Sequence, residues 1–184
     1  KEQREARRVI CFAHADLDAE SGVGLDEDVS YSYDGFASII DPIRKEVFKA
    51  VSDCKRAGIK VKILTGDNAV TAFAIAKELK LVTDGSQVVT ATDLEKLDEN
   101  TLKEILPKIT VIARSTPLIK LRVVKALKSM GEVVAVTGDG INDAPAIKHA
   151  DVGIAMGKNG SEITKEAADV VLLDDSFNTV VKAI

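Results

Sequence analysis

A chain of 184 residues with a formal charge of −4 and an isoelectric point near 5.3 has no basic stripe from which a nucleic acid could displace counterions, so no nucleic-acid partner is expected. Apolar residues make up 46%, aromatic residues only 4%, and Trp is absent; this suits an α/β domain of ordinary size, with room for a fragment of another. The sequence contains no secretory leader and no run of 18 or more apolar residues, so a soluble piece is expected, with Cys11 and Cys54, at no metal or redox spacing, as ordinary buried thiols.

From Glu2 to Ala15 the pattern gives a short charged helix and then a strand, Val9 to Ala13. Asp16 to Tyr33 is acidic, contains glycine and lacks periodicity, and reads as a loop or linker. Phe36 to Ile40 is a strand stopped by Asp41-Pro42. A helix follows with Val47, Ala50, Val51 and Cys54 at i, i+3, i+4 and i+7, and Gly58 as its C-terminal cap. Lys60 to Leu64 is the next strand, so this order predicts a right-handed βαβ unit.

Thr65-Gly66-Asp67-Asn68 then delivers a hydroxyl, a glycine and a carboxylate to the end of a buried strand, just before a helix over Val70 to Leu79. Amides at such a helix start favour an anion, and Thr65 is placed to donate to a phosphoryl oxygen. The plainer reading is an Asp67 or Asn68 N-cap with Thr65 as a strand-end residue.

Gln87 to Ala91 is a short strand, and Thr92-Asp93-Leu94-Glu95 has capping-box spacing. The polar helical stretch to Leu106 reads as a solvent-facing insertion, over about 92–107. Ile109 to Ala113 returns to the sheet. Arg114-Ser115-Thr116-Pro117 ends that strand, and the next helix puts Val123, Ala126, Leu127 and Met130 on one face before Gly131. Lys120, one turn in, opposes the helix dipole by about 0.3–1 kcal/mol when exposed. A nearby anion would explain its position.

Val133 to Val136 run into Thr137-Gly138-Asp139-Gly140, and Asn142-Asp143-Ala144-Pro145 opens a helix. Asp139 leaves the strand tip between two glycines, and Asp143 can cap a helix beginning near Pro145. Two carboxylates suit Mg²⁺, which takes one or two of them and fills its other positions with water and phosphate oxygens; Asn142 can bond a phosphate without adding repulsion. The stretch therefore reads as a metal and phosphate site at the carboxyl end of a parallel sheet, the alternative being a turn followed by a cap. Asp151 to Ala155 and Asp169 to Leu173 are further strands, with a helix from near Ser161 between them. Asp174-Asp175 are expected as outward acids, and a final helix follows.

TGDGINDAPAIKHADVGIAMG, continued by SEITKEAADVVLLDDSFNTVV, resembles the hinge segment of the phosphorylation domain of P-type ATPases, ion pumps built on the haloacid dehalogenase fold. DPIRKEVFKAVSDCKRAGIKVKILTGDN and ARSTPLIK are similar to the same family. The resemblance runs from about Phe36 to Ile184, with a shorter match from Arg7 to Asp18. It implies an α/β, Rossmann-like parallel sheet flanked by helices and lacking its first central strand. Residues 1–35 would be the tail of a nucleotide-binding domain and an acidic linker, and 36–184 the C-terminal part of the phosphorylation domain.

In site terms the resemblance implies Mg²⁺ at Asp139, with Asp143 as a further ligand, and Lys120 contacting the phosphoryl group. Thr65 would be a donor to that group, with Gly66, Asp67 and Asn142 around it, Arg8 would face nucleotide, and Arg114 would be a nucleotide or interdomain contact. ATP would be the substrate of the full-length protein and a cation its cargo, closest to calcium pumps of the plasma-membrane type. The partners would be the pump's transmembrane, actuator and nucleotide-binding domains, which makes this a cytosolic domain of an integral membrane protein.

The family's phosphorylated aspartate lies in a DKTGT string, which these residues do not contain. The isolated chain is therefore expected to lack turnover, and an unfilled sheet edge to promote self-association. Two other readings stand beside this one. A stand-alone phosphatase would use Asp16-Leu17-Asp18 as a D-x-D pair, with Asp16 as nucleophile. A non-catalytic binding or regulatory module would keep only the fold.

Overall fold

The computed structural model describes residues 8–15 and 30–183, and the chain divides into two compact units, Lys1–Pro42 and Ile43–Ile184. In the first, β1 (Arg8–His14) and β2 (Ser32–Ile39) form an antiparallel ribbon with an irregularity between Phe12 and Ala13. The strand expected from Phe36 thus begins at Ser32 and pairs with β1. Its partner among the described residues is β1 and not β3, so the expected βαβ unit does not form there. Cys11, on this ribbon, is exposed rather than buried. The expected N-terminal helix, the D-x-D pair at Asp16 and Asp18, and the side chain of Arg8 lie outside the described residues.

The second unit opens with α1 (Lys45–Arg56), which buries Ala50, Val51 and Cys54 on one face and ends before Gly58 at φ +76°. Next come β3 (Ile63–Leu64), α2 (Ala69–Glu78), β4 (Val88–Thr90), α3 (Ala91–Glu95), α4 (Glu99–Ile105), β5 (Val111–Ala113) and α5 (Pro117–Ser129). The chain continues through β6 (Ala135–Gly138), α6 (Ala144–His149), β7 (Val152–Met156), α7 (Glu162–Ala167), β8 (Val170–Leu172) and α8 (Phe177–Ala183). Among the described residues no helix is long and apolar enough to cross a membrane.

Two three-stranded parallel sheets result, in the orders β3-β5-β4 and β6-β7-β8. This is the expected α/β architecture of parallel strands flanked by helices. Central β5 is buried at all three positions, which is why its sequence is uniformly apolar and does not alternate. Among the described residues both β3 and β6 pair on one side only.

The stretch expected to face solvent contributes much of the core instead. Leu94, Leu102 and Leu106 are at most 1% exposed and pack with Ile112, Ile119 and Val123. Charges on the outer faces of two short helices obscured a leucine on each inner face. The capping box also starts earlier than expected. The Thr90 hydroxyl accepts from the Asp93 amide, and the Asp93 carboxylate accepts from the Thr90 amide, so β4 runs directly into α3.

Asp175 is a further correction. Only 8% exposed, it turns inward at φ +51° and accepts from the amides of Lys158 and Asn159 at 2.9 and 2.8 Å. The Lys158 amide in particular holds its carboxyl below the usual carboxylate range. Asp174 stays exposed, as expected, and accepts from the Ser176 amide and the Thr179 hydroxyl at the start of α8.

Candidate functional site

In each sheet the parallel strands direct their carboxyl ends the same way, and the loops after β3 and β5 of one sheet and after β6 of the other carry the residues singled out from the sequence. After β3 the half-buried Thr65 turns its hydroxyl onto its own loop. It accepts from the Asp67 amide at 3.1 Å and donates to the Asp67 carboxylate at 3.0 Å. Asn68, not Asp67, caps α2, accepting from the Thr71 amide at 2.9 Å. Gly66 and Asp67 are exposed beside it.

The loop after β5 is fastened to this one by its backbone. The Arg114 amide donates to the Asp67 carbonyl at 2.9 Å, and the Ser115 amide to the Thr65 carbonyl at 2.8 Å. Arg114 sits at φ +53°, a left-handed conformation that costs a non-glycine residue about 1–3 kcal/mol. Those two hydrogen bonds hold it there, with its side chain exposed. Thr116 then caps α5 by accepting from the Ile119 amide, with Pro117 in the first turn.

One turn into α5, Lys120 reaches the loop after β6. Its Nζ lies 2.5 Å from Asp143 Oδ1, and the two side chains keep only 15% and 14% of their exposure. The anion that its unfavourable helix position called for is therefore supplied by the chain itself. Asp143 Oδ2 also accepts from the Gly140 amide at 3.3 Å, and the Asp143 amide donates to the Gly140 carbonyl at 2.9 Å.

Asp143 consequently does not cap the helix as expected. A 3₁₀ turn over Ile141–Asp143 precedes α6, and no side chain of the described residues caps α6. Gly138 makes this arrangement possible, since a Cβ there would stand 2.5 Å from the Asp143 Cβ.

Asp139, exposed at the tip of β6, receives no hydrogen bond on its carboxylate from any described residue. Its backbone is fastened, with its carbonyl accepting from the Ser161 amide at 2.8 Å. Asn142 is exposed. Among the described residues no three His, Cys, Asp or Glu side chains converge into a ready-made metal cage. The donor set suits a hard cation that keeps most of its water or phosphate oxygens.

The structure thus gathers Lys120, Asp143, Gly140 and Asp139 in one connected group, and Thr65, Asp67, Arg114 and Ser115 in a second. The seven residues from Arg114 to Lys120 belong to both groups, because they carry the backbone bonds to one and the ammonium that reaches the other. Two residues escape a sequence reading. Ser115 has a buried hydroxyl with no hydrogen-bond partner among the described residues. Thr164 is fully buried and donates to the Gly140 carbonyl at 2.8 Å. Its only sequence signal is the Ser-x-x-Thr spacing from Ser161, which reads as an ordinary helix start.

Comparison with known proteins adds the context of these loops. The family described as haloacid dehalogenase-like hydrolase matches residues 4–151, and a second family of the same description matches residues 120–184. Calcium-transporting ATPase 4, plasma membrane-type, of Arabidopsis thaliana is 47% identical over 177 residues, which cover 96% of this chain and 17% of the relative. Calcium-transporting ATPase 1 of Bacillus cereus is 43% identical over 182 residues, 98% of this chain and 20% of the relative. Calcium-transporting ATPase 2 of Schizosaccharomyces pombe is 49% identical over 150 residues, 82% and 12%. The chain spans a fifth or less of the length of these curated relatives, and its likeness to calcium-transporting ATPases extends over nearly all of its own.

Proposed function

The chain belongs to the haloacid dehalogenase-like hydrolases, and on that premise we propose that it is the C-terminal part of the phosphorylation domain of a P-type calcium-transporting ATPase. The whole pump would couple ATP hydrolysis, through an aspartyl phosphate, to movement of a cation, with calcium favoured by the relatives' names. The observation that carries the reading is the near-buried Lys120–Asp143 pair beside the uncommitted Asp139 carboxylate. A phosphoryl group between them would meet positive charge on one side and a metal-binding carboxylate on the other.

The residues divide the work by their chemistry. Asp139 would hold Mg²⁺, with Asp143 as a further ligand, and the ion would neutralise phosphoryl oxygens. Lys120 balances Asp143 at rest and offers its ammonium to an incoming phosphoryl oxygen. The Thr65 hydroxyl and the Gly66 and Asp67 backbone would surround the equatorial oxygens, with Asn142 as an uncharged donor. Arg114, exposed on a strained backbone, would contact nucleotide, as would Arg8.

The aspartate nucleophile of DKTGT is not among these residues, so this chain by itself has no turnover. Among the described residues β3 and β6 pair on one side only, and such strand edges would favour self-association. In the whole protein the transmembrane, actuator and nucleotide-binding domains would complete the machine, with this domain on the cytosolic side.

The test is hydrolysis of acetyl phosphate and p-nitrophenyl phosphate with Mg²⁺ by the unaltered chain, Asp139→Asn and Asp16→Asn. No turnover in all three is expected. Turnover abolished by Asp16→Asn would make the chain a self-contained phosphatase and overturn the proposal.

A further inference from the structure

The turn that presents Asp139 is tied down by backbone bonds from several directions. In the peptide plane between Asp139 and Gly140, the carbonyl accepts from the Ser161 amide and the amide donates to Asp143 Oδ2. The next carbonyl, that of Gly140, accepts from the Thr164 hydroxyl at 2.8 Å. Both partners from the later segment belong to one unit, since Ser161 Oγ accepts from the Thr164 amide and lies 2.6 Å from Thr164 Oγ1.

Thr164 is one of only two polar or charged residues buried among the described residues, and the largest fully buried side chains otherwise are apolar. A hydroxyl in such a place loses its bonds to water, and a fixed acceptor repays that cost. Here the acceptor is the carbonyl one residue beyond the exposed carboxylate. Valine has nearly the same shape and would fill the same space. Packing alone therefore does not require threonine; the bond to Gly140 does.

We propose that Thr164 is a positioning residue that, through the Gly140 carbonyl, fixes the direction in which Asp139 offers its carboxylate to Mg²⁺. The inference rests on the metal role given to Asp139 above. Fully buried, Thr164 would act through this carbonyl and not by touching the ion or the phosphoryl group itself. It is the second donor on the Gly140 carbonyl, beside the Asp143 amide at 2.9 Å, and so narrows the range of directions that this carbonyl and the peptide before it can take. Groups hydrogen-bonded directly to a metal ligand typically change affinity about 10–100-fold, and a partner of the neighbouring carbonyl should fall at the lower end of that range.

The experiment titrates Mg²⁺ alone into the isotopically labelled chain and follows the amide resonances of Asp139, Gly140 and Ser161. Thr164→Val should weaken Mg²⁺ about tenfold, and Thr164→Ser should restore most of the affinity, because only the hydroxyl is needed. Val180→Ala, a core truncation beside Ile154 and Leu172, should lower thermal stability and leave the Mg²⁺ affinity of the folded protein unchanged. Thr164→Ala replaces the valine variant should that one fail to fold.

Equal affinity in Thr164→Val and the unaltered chain would overturn the inference while leaving the metal reading intact. So would a loss that Thr164→Ser fails to reverse. No Mg²⁺-dependent shift in the unaltered chain would overturn both.

Discussion

Lys120 Nζ and Asp143 Oδ1 lie 2.5 Å apart with about 85% of each side chain out of solvent, and this contact joins α5 to the turn that leads into α6. Replacing Lys120 by Met leaves a partly buried carboxylate without its cation. Such a loss costs roughly 3 kcal/mol, and the remaining exposure keeps it from costing more. Urea unfolding of Lys120→Met, Asp143→Asn and the double variant should give a double variant more stable than the sum of the two single losses predicts. Strict additivity would mean that the ion pair does not couple the two elements.

Gly138→Ala places a methyl group 2.5 Å from the Asp143 Cβ and 2.6 Å from its Cγ. Asp143 must then swing away from Lys120 and from the Gly140 amide. The strain of forcing a methyl into an occupied space is about 1–3 kcal/mol, and a thermal melt should register it. Adding Lys120→Met to Gly138→Ala should then cost less than Lys120→Met alone, since the pair is already broken.

Leu102→Ala separates the expected surface insertion from the observed core. With a side chain 1% exposed among Leu94, Leu106 and Ile112, the truncation should cost about 2–5 kcal/mol. A change below about 0.5 kcal/mol, the size usual for surface positions, would return 92–107 to the status of an outward appendage.

Asp175 sets part of the response to acid. Its folded-state pKa is held below the unfolded value, chiefly by the Lys158 amide. Its contribution is therefore complete above the unfolded carboxylate pKa and is lost as pH falls through the folded one. Asp175→Asn should lower stability at neutral pH and flatten the acid limb of the stability curve. An acid limb as steep as that of the unaltered chain would assign the acid response to other carboxylates, of which Asp98 and Asp151 are also depressed.

Much of this architecture was legible in the residues themselves. Short apolar runs ending in Thr-Gly-Asp mark parallel strands that deliver polar groups to their carboxyl ends, although β3 and β6 belong to different sheets. Gly58 and Gly131 mark helix ends, and both adopt the positive φ that the role requires. The awkward position of Lys120 in its helix announced an anion, and the anion is Asp143. These features are local, set by backbone sterics and side-chain chemistry within a few residues.

What tertiary structure decided are the pairings. A strand over Phe36 to Ile40 can be read from its own composition, but its choice of β1 rather than β3 depends on which edge meets its hydrogen bonds. The leucines of α3 and α4 become core because β5 and α5 lie against them. Asp143 leaves its helix cap because Lys120 offers a better partner in a place with little water, where a paired charge is worth more than a capped helix end. Thr164 carries no meaning in the sequence until the fold sets its hydroxyl against a carbonyl 24 residues away. Local sequence chose the elements and their ends, and long-range burial, where unpaired polar groups are expensive, chose their partners.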